Sequence, residues 1–424
     1  MGKIRRTFGI GAIVVVVVAA GIVTLAKTGA PKPTNNNNTS MLPISANLHV
    51  SAVPVSAPAA VLIDAKTGQV LYAKNVLQKH YPASLVKLMT SVIALDLVKK
   101  GSLTLHSIVP VSQGAFQVAK TPGLSVAYLN PTETITLSKM LEYMYVVSAD
   151  DAAVAIADDI AGNEKDFSKM MNQKAKQLGL TGTHYVNASG LQNAEQYTNA
   201  YDVAKLSQYL IQNYPIVLKY AKEPGMYIHP GQYGYTYDQL LGQYQGLDGL
   251  KTGSTDQAGY CFAGTAVRNG HRLISVVLDA SSFNNVFQDT ANLLNYGFDH
   301  FKSLKIQSAG QSLLTPLYVK NAQKQELAVA PKSDVWIDVP SGQGSSFTVQ
   351  FIPKVTNAPI AKGEEVGSEE IGLRDHVVLE VPVYAKESDA KAGFVTKSWR
   401  YLMKNAHQGS ARILNWVTRK VSKL

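Results

Sequence analysis

Two residue pairs and one triplet in this chain have the types and spacing for chemistry without a metal. In "YPASLVKLMT" (residues 81–90) Ser84 and Lys87 stand three apart, after Pro82 and at the head of an apolar helical run. A hydroxyl at a helix start meets unpaired backbone N–H groups and the positive end of the dipole, and a residue three positions on shares its face. That is a nucleophile with its base, provided the amine can release its proton. S-x-x-K is a weak pattern by itself, and Ser388 to Lys391 repeats it in the charged stretch "KESDAK", where a solvated linker accounts for it. Lys-Thr-Gly occurs three times: at 27–29 in a polar segment, at 66–68 on a hairpin tip, and at 251–253 leading into a strand. Only Lys251-Thr252-Gly253 sits where a strand edge presents an amine and a hydroxyl to a substrate carboxylate. Between them lies "VVSADDAA", with Ser148 and Asp150 at a helix junction, where an ordinary helix cap is the plain reading.

The elements that must hold these residues can be read coarsely. "AAVLIDAKTGQVLYAKN" is a hairpin, and a helix follows Pro82 and stops at Gly101. Helices continue through "LSKMLEYMYVV" and "DDAAVAIADDIA", then from Asn163 to Gly179 and from Ala200 to Asn213. From 247 the period changes to strands, with Asn269-Gly270 as a hairpin turn, and a last helix runs from about Asn284 to Phe301. Hairpin, helices, hairpin implies an α+β fold: a helix-covered antiparallel sheet whose first and last strands meet. Residues 303–392 alternate short strands with Gly/Pro turns and read as a small all-β domain, giving a principal domain over 55–302.

The 424 residues and 46% apolar content suit two cores with tails. The net charge of +10 is carried wholly by the ends: Lys3, Arg5 and Arg6 before residue 27, and seven cations with no acid from Phe394 to Leu424. A neutral body argues against nucleic acid as a partner and for basic ends at a membrane. Residues 1–26 combine a basic start with an uncharged run from Phe8 to Ala26, the form of an export signal or an N-terminal anchor, and 27–54 is a low-complexity linker. In 393–424, Trp399, Leu402, Met403, Ala406, Ile413, Leu414, Val417, Val421 and Leu424 share one helical face opposite most of the cations, which reads as a basic amphipathic helix lying on a membrane surface. Lone Cys261 and the isolated His184 and His271 read as packing or surface residues, and the nine histidines show no metal-ligand spacing, so neither metal nor cofactor is expected.

Taken together the motifs say more than each does singly. S-x-x-K, then S-x-D where S-x-N is usual, then K-T-G resembles the penicillin-recognising serine enzymes. The flanks "LIDAKTGQVLYAKN", "MYVVSADDAAVAIA", "MNQKAKQLGLTGTHYVNASGL" and "GLKTGSTDQAGYCFAGTAVRNGHRLISVVLDA" are similar to the low-molecular-weight penicillin-binding proteins that act as serine-type D-alanyl-D-alanine carboxypeptidases, over about residues 55–302. The resemblance implies an exported bacterial enzyme at the outer face of the cytoplasmic membrane, acting on peptidoglycan stem peptides and stalled by β-lactams. It implies Ser84 as acyl-ester nucleophile, Lys87 as base, Ser148 as proton relay toward the departing D-alanine, the N–H groups of Ser84 and Ser254 as oxyanion donors, and Lys251 with Thr252 and Gly253 as the carboxylate site.

Asp150 departs from that pattern. An ionised carboxylate only accepts hydrogen bonds, where the usual asparagine also donates. Lying between Lys87 and Lys251 it would hold both amines charged, with slow turnover or a shifted pH optimum as the outcome, unless it is protonated or turned away. Two rival readings remain at this level: a β-lactamase, and a wall-binding scaffold whose site Asp150 has disabled. A labelled penicillin separates them by a lasting adduct, rapid release, or none.

Overall fold

The computed structural model describes residues 14–19, 22–26, 53–342, 346–373 and 376–400, which fall into two compact units. The expected linker lies almost wholly outside the described residues, and so does the tail helix beyond residue 400.

The larger unit comprises the described residues of 53–303 together with 338–342. Its sheet has five antiparallel strands in the order Val70–Lys74, Ala59–Asp64, His271–Ala280, Gly259–Arg268, Leu247–Thr255. The first and last strands of the sequence reading do meet, with Leu273 opposite Asp64 and Leu278 opposite Ala59. Alternation along these strands supplies two apolar faces. Val61, Ile63, Ala263, Ile274 and Val276 join the main helical core, while Leu62, Phe262 and Leu273 turn to the other side.

Eight helices belong to this unit: α1 Val86–Lys99, α2 Gln113–Ala119, α3 Leu137–Val146, α4 Asp150–Ala161, α5 Glu164–Gln177, α6 Ala200–Asn213, α7 Ile216–Ala221 and α8 Phe283–His300. α8 lies on the second sheet face, where Gly297 sits so close that a Cβ would be 2.4 Å from Leu273 Cδ1. Ser112, Thr136, Asn163, Asn199 and Ser282 cap their helices by accepting a backbone N–H three residues on. α4 breaks that habit: Ala149 stands at its cap position and no side chain caps it.

The smaller unit carries an antiparallel sheet in the order Val329–Ala330, His376–Ala385, Glu365–Leu373, Ser346–Pro353, then Val14–Ala19 and Ile22–Ala26. Leu317, Val319, Leu327, Ile360, Val366 and Val383 form its core. The valine run Val14–Ala19, within the segment read as an export signal or anchor, forms the strand next to the edge, paired with Ser346–Pro353 on one side and Ile22–Ala26 on the other, in keeping with the strand preference of β-branched residues. No helix among the described residues is long and apolar enough to cross a membrane.

Candidate active site

The site is assembled at the head of α1. Ala83–Leu85 form a 3-10 turn running into that helix, and Ala83 is held at a φ of 48°. Gly190 makes room for this turn, since a Cβ there would stand 2.0 Å from the Ala83 carbonyl oxygen. On the other side Gly253 of the edge strand lies flush against it: an added Cβ would fall 2.9 Å from Ser84 N. A strand at the end of a sheet has backbone groups without ladder partners, and here that edge meets the nucleophile turn.

Lys87, one turn into the rise, is 1% exposed and has three acceptors around Nζ. It lies 2.9 Å from Ser84 Oγ, 2.6 Å from Asp150 Oδ1 and 2.7 Å from the Ser189 carbonyl oxygen. A buried ammonium needs such a cage to offset its lost hydration. Lys251, 2% exposed, is held more sparsely, with Nζ donating to Ser148 Oγ at 3.0 Å and to the Thr252 carbonyl at 2.9 Å. Its pKa is driven well below the ordinary lysine value, first by burial and then by the charge of Lys87, with Asp150 and Asp238 pulling the other way. Ser148, at a φ of 59°, sits on the strained turn between α3 and α4.

The helix-cap reading of Ser148 and Asp150 is thereby set aside, because both side chains are engaged by lysines. Asp150 is not turned away: it meets Lys87 directly. At Lys251 the carboxylates of Asp150 and Asp238 favour the charged form, as expected, but desolvation and the like charge of Lys87 act more strongly in the other direction. Cys261 is a core thiol in the wall of the cleft, its pKa pushed up to about 12 by burial. His271 is a satisfied residue, as read: Nε2 lies 2.8 Å from Asp338 Oδ2 and 3.3 Å from Asp64 Oδ2, and against the opposing effect of burial those carboxylates raise its pKa to about 9.

A small, half-open cleft lies beside these groups, lined by Ser84, Ser148, Thr252, Gly253 and Ser254 with Ser125, Tyr237 and Tyr260. Sequence reasoning missed several parts of it. Ser189, whose carbonyl fixes Lys87, and Gly190 lie in the quoted "VNASGL", but a backbone acceptor leaves no mark of its own in a sequence. Asp238 also went unseen. It is 8% exposed and within electrostatic reach of Lys251, and burial pushes its pKa up to about 7, opposed by backbone donors and that lysine.

A buried amine on a serine hydroxyl, with a second amine and a strand edge across a small cleft, defines a serine acyl-transfer enzyme of the S-x-x-K class. The pattern of the D-alanyl-D-alanine carboxypeptidase family matches residues 46–282, and that of the C-terminal domain of penicillin-binding protein 5 matches residues 301–391. D-alanyl-D-alanine carboxypeptidase DacF of Bacillus subtilis is 32% identical over 346 residues, 80% of this chain and 87% of that one. The crystal structure of penicillin-binding protein 5 from Haemophilus influenzae superposes with a TM-score of 0.72 at 28% identity, covering 81% of this chain and all of that one. Penicillin-binding protein D2 of Listeria monocytogenes, solved in its ampicillin-bound form, gives 0.53 at 36% identity, over 58% of this chain and 99% of that one. The chain belongs to the D-alanyl-D-alanine carboxypeptidase family, and is a serine-type D-Ala-D-Ala carboxypeptidase among the low-molecular-weight penicillin-binding proteins.

Proposed function

We propose the following roles for the site residues, carried by one observation: Lys87 Nζ at 2.9 Å from Ser84 Oγ, beside an edge strand flush against Ser84 N. Ser84 attacks the carbonyl between the two terminal D-alanines of a peptidoglycan stem peptide, and Lys87 takes its proton. The N–H groups of Ser84 and Ser254 hold the oxyanion. Lys251, Thr252 and Gly253 receive the terminal carboxylate, and binding that anion favours the charged form of Lys251 that burial disfavours. Ser148, bonded to Lys251, passes a proton to the leaving D-alanine, and water then hydrolyses the ester on Ser84.

β-Lactams acylate the same hydroxyl, as the ampicillin-bound Listeria relative supports. Incubation with a labelled penicillin leaves a lasting adduct on Ser84, and Ser84→Ala loses both the adduct and D-alanine release. Rapid turnover of the label would favour a lactamase instead.

The enzyme works in the cell envelope, where its substrate is. We place it at the outer face of the cytoplasmic membrane, with residues 1–26 as leader or anchor and 393–424 as a basic amphipathic helix on the bilayer surface. Phe394, Val395 and Trp399 at the head of that segment are 86%, 79% and 64% exposed, apolar side chains without a protein cover. A chain ending at Ala392, with its leader processed, should leave the membrane fraction; full retention would reject the anchor.

A further inference from the structure

A third feature beside the cleft has no part in the chemistry above. Gly225–His229 and Gln232–Tyr235 form a two-stranded hairpin with Tyr227 opposite Tyr233 and Gly225 opposite Tyr235. Alternation sorts its residues. Met226, Ile228 and Gly234 face inward, with Gly234 so near Val147 that a Cβ would be 2.5 Å from Val147 Cγ1. Tyr227, Tyr233 and Tyr235 face out, 66%, 41% and 73% exposed.

The three rings form a series, with centroids 5.0 and 4.9 Å apart and edges set to faces. Gly225 is what permits this, since a Cβ there would lie 2.5 Å from the Tyr233 ring. The row is thus preorganised, and it is tied to the catalytic machinery. Val147 beneath it precedes Ser148, and the Tyr143 hydroxyl donates to the Ile228 carbonyl at 3.2 Å. Exposed Tyr237 joins it to the cleft, which it lines while accepting from Ser125 Oγ at 3.4 Å, and at the hairpin turn His229 Nε2 lies 3.3 Å from the carbonyl oxygen of Tyr128, another exposed tyrosine.

From Pro224 to Tyr237 the chain has no Lys, Arg, Asp or Glu. An uncharged surface of rigid rings rimmed by hydroxyls fits a partner with flat apolar faces, hydroxyl and amide edges, and no charge. Pyranose rings of N-acetylated hexosamines have that character. A carboxylate, that of Glu133, lies 3.4 Å from His229 Nδ1 at the hairpin turn, but the three tyrosines themselves offer a charged peptide no countercharge. A lipid surface would call for basic and aliphatic side chains beside the rings, and here the segment has no Lys or Arg while Met226 and Ile228 point inward.

We propose that the Tyr227–Tyr233–Tyr235 face binds the N-acetylhexosamine glycan from which the stem peptide branches, so that the enzyme reads glycan and peptide together. The proposal rests on the carboxypeptidase reading for its geometry. About four amino acids separate the sugar from the scissile carbonyl, a reach of roughly 14 Å when extended. Tyr235 is two residues from Tyr237 in the cleft wall, at most about 7 Å of chain, so the row adjoins the cleft along which a stem peptide of that length would extend.

The test uses the full chain and a variant with Tyr227→Ala, Tyr233→Ala and Tyr235→Ala. Its kcat/KM should fall about tenfold or more on a disaccharide-borne pentapeptide, and stay within about twofold of the parent on the free pentapeptide. Acylation of Ser84 by labelled penicillin should be unchanged, which also reports intact folding. An equal loss on both substrates would show that the face reads peptide, and no loss on either would show that it reads nothing; both overturn the proposal. Independently, a neutral N-acetylglucosamine tetramer titrated into the parent should change tyrosine fluorescence saturably, and in single Tyr235→Ser much less. A flat titration would overturn the proposal even if the triple variant failed to fold. Loss of the enzyme reading would show instead as D-alanine release surviving in Ser84→Ala, an outcome the titration does not depend on.

Discussion

The Lys87 side and the Lys251 side of the cleft bury the same functional group under opposite conditions. Around Lys87 a carboxylate, a hydroxyl and a carbonyl oxygen all lie within 2.9 Å. Around Lys251 there is one hydroxyl and its neighbour's carbonyl, with no carboxylate in hydrogen-bond contact, and its proton is held weakly. Two lysines buried to the same degree are thus held by different sets of acceptors, and for Lys251 burial comes first among the causes that lower its pKa, followed by the charge of Lys87. The caged amine lies 2.9 Å from Ser84 Oγ, and in the roles proposed above the sparsely held one receives the substrate carboxylate. A substrate anion can complete the second site in a way it cannot complete the first.

Removing each amine in turn should break the comparison most visibly. Lys87→Ala takes away the base and leaves Asp150 buried and unpaired, so acylation by substrate and by labelled penicillin should fall by about 10²- to 10⁴-fold. Lys251→Ala removes a charge-assisted contact to the carboxylate, and a smaller loss, about tenfold to a hundredfold in kcat/KM, should fall mainly on KM. Equal effects of the two substitutions on KM and kcat would abolish the distinction.

Asp150→Asn sharpens it. The Asp150 carboxylate lies 2.6 Å from Lys87 Nζ, which itself meets Ser84 Oγ, so replacing it by a neutral amide changes the electrostatics next to the reacting hydroxyl. The pH–rate profile of acylation by Asp150→Asn should therefore differ from that of the parent. Superimposable pH profiles for the variant and the parent would reject the electrostatic role.

The smallest effect concerns stability on the Lys251 side. Asp238 has its folded pKa raised from 3.8 to about 7, so the folded chain binds the proton that the unfolded chain has already released. Its contribution is fully present below about pH 4 and is lost as pH rises through 7. Asp238→Asn should therefore match the parent at pH 4 and exceed it at pH 8, by no more than about 4 kcal/mol, as read from urea midpoints. A variant less stable than the parent at pH 8 would contradict the burial argument.

Particular residues show how much of this could be read in advance. The hairpin at 59–74, α5 after Asn163 and α6 over Ala200–Asn213 carry their own signals, because caps, Gly stops and alternation act within a few residues. The small second sheet was legible from its short alternating runs. The tyrosine hairpin was not, since Gly and Pro break it into pieces too short to show a period.

The amino-acid order by itself determined the reactive groups: Ser84 beside Lys87 on one helix turn, Ser148 and Asp150 before another helix, and Lys251 entering a strand. Which lysine meets a carboxylate was decided only by tertiary structure, for Lys87 and Asp150 are 63 residues apart and touch through packing of α1 against α4. So was the depressed proton affinity of Lys251, which depends on burial and on a second cation brought near it in space. Short-range geometry is written along the chain, whereas electric fields and desolvation belong to what the fold gathers around a group.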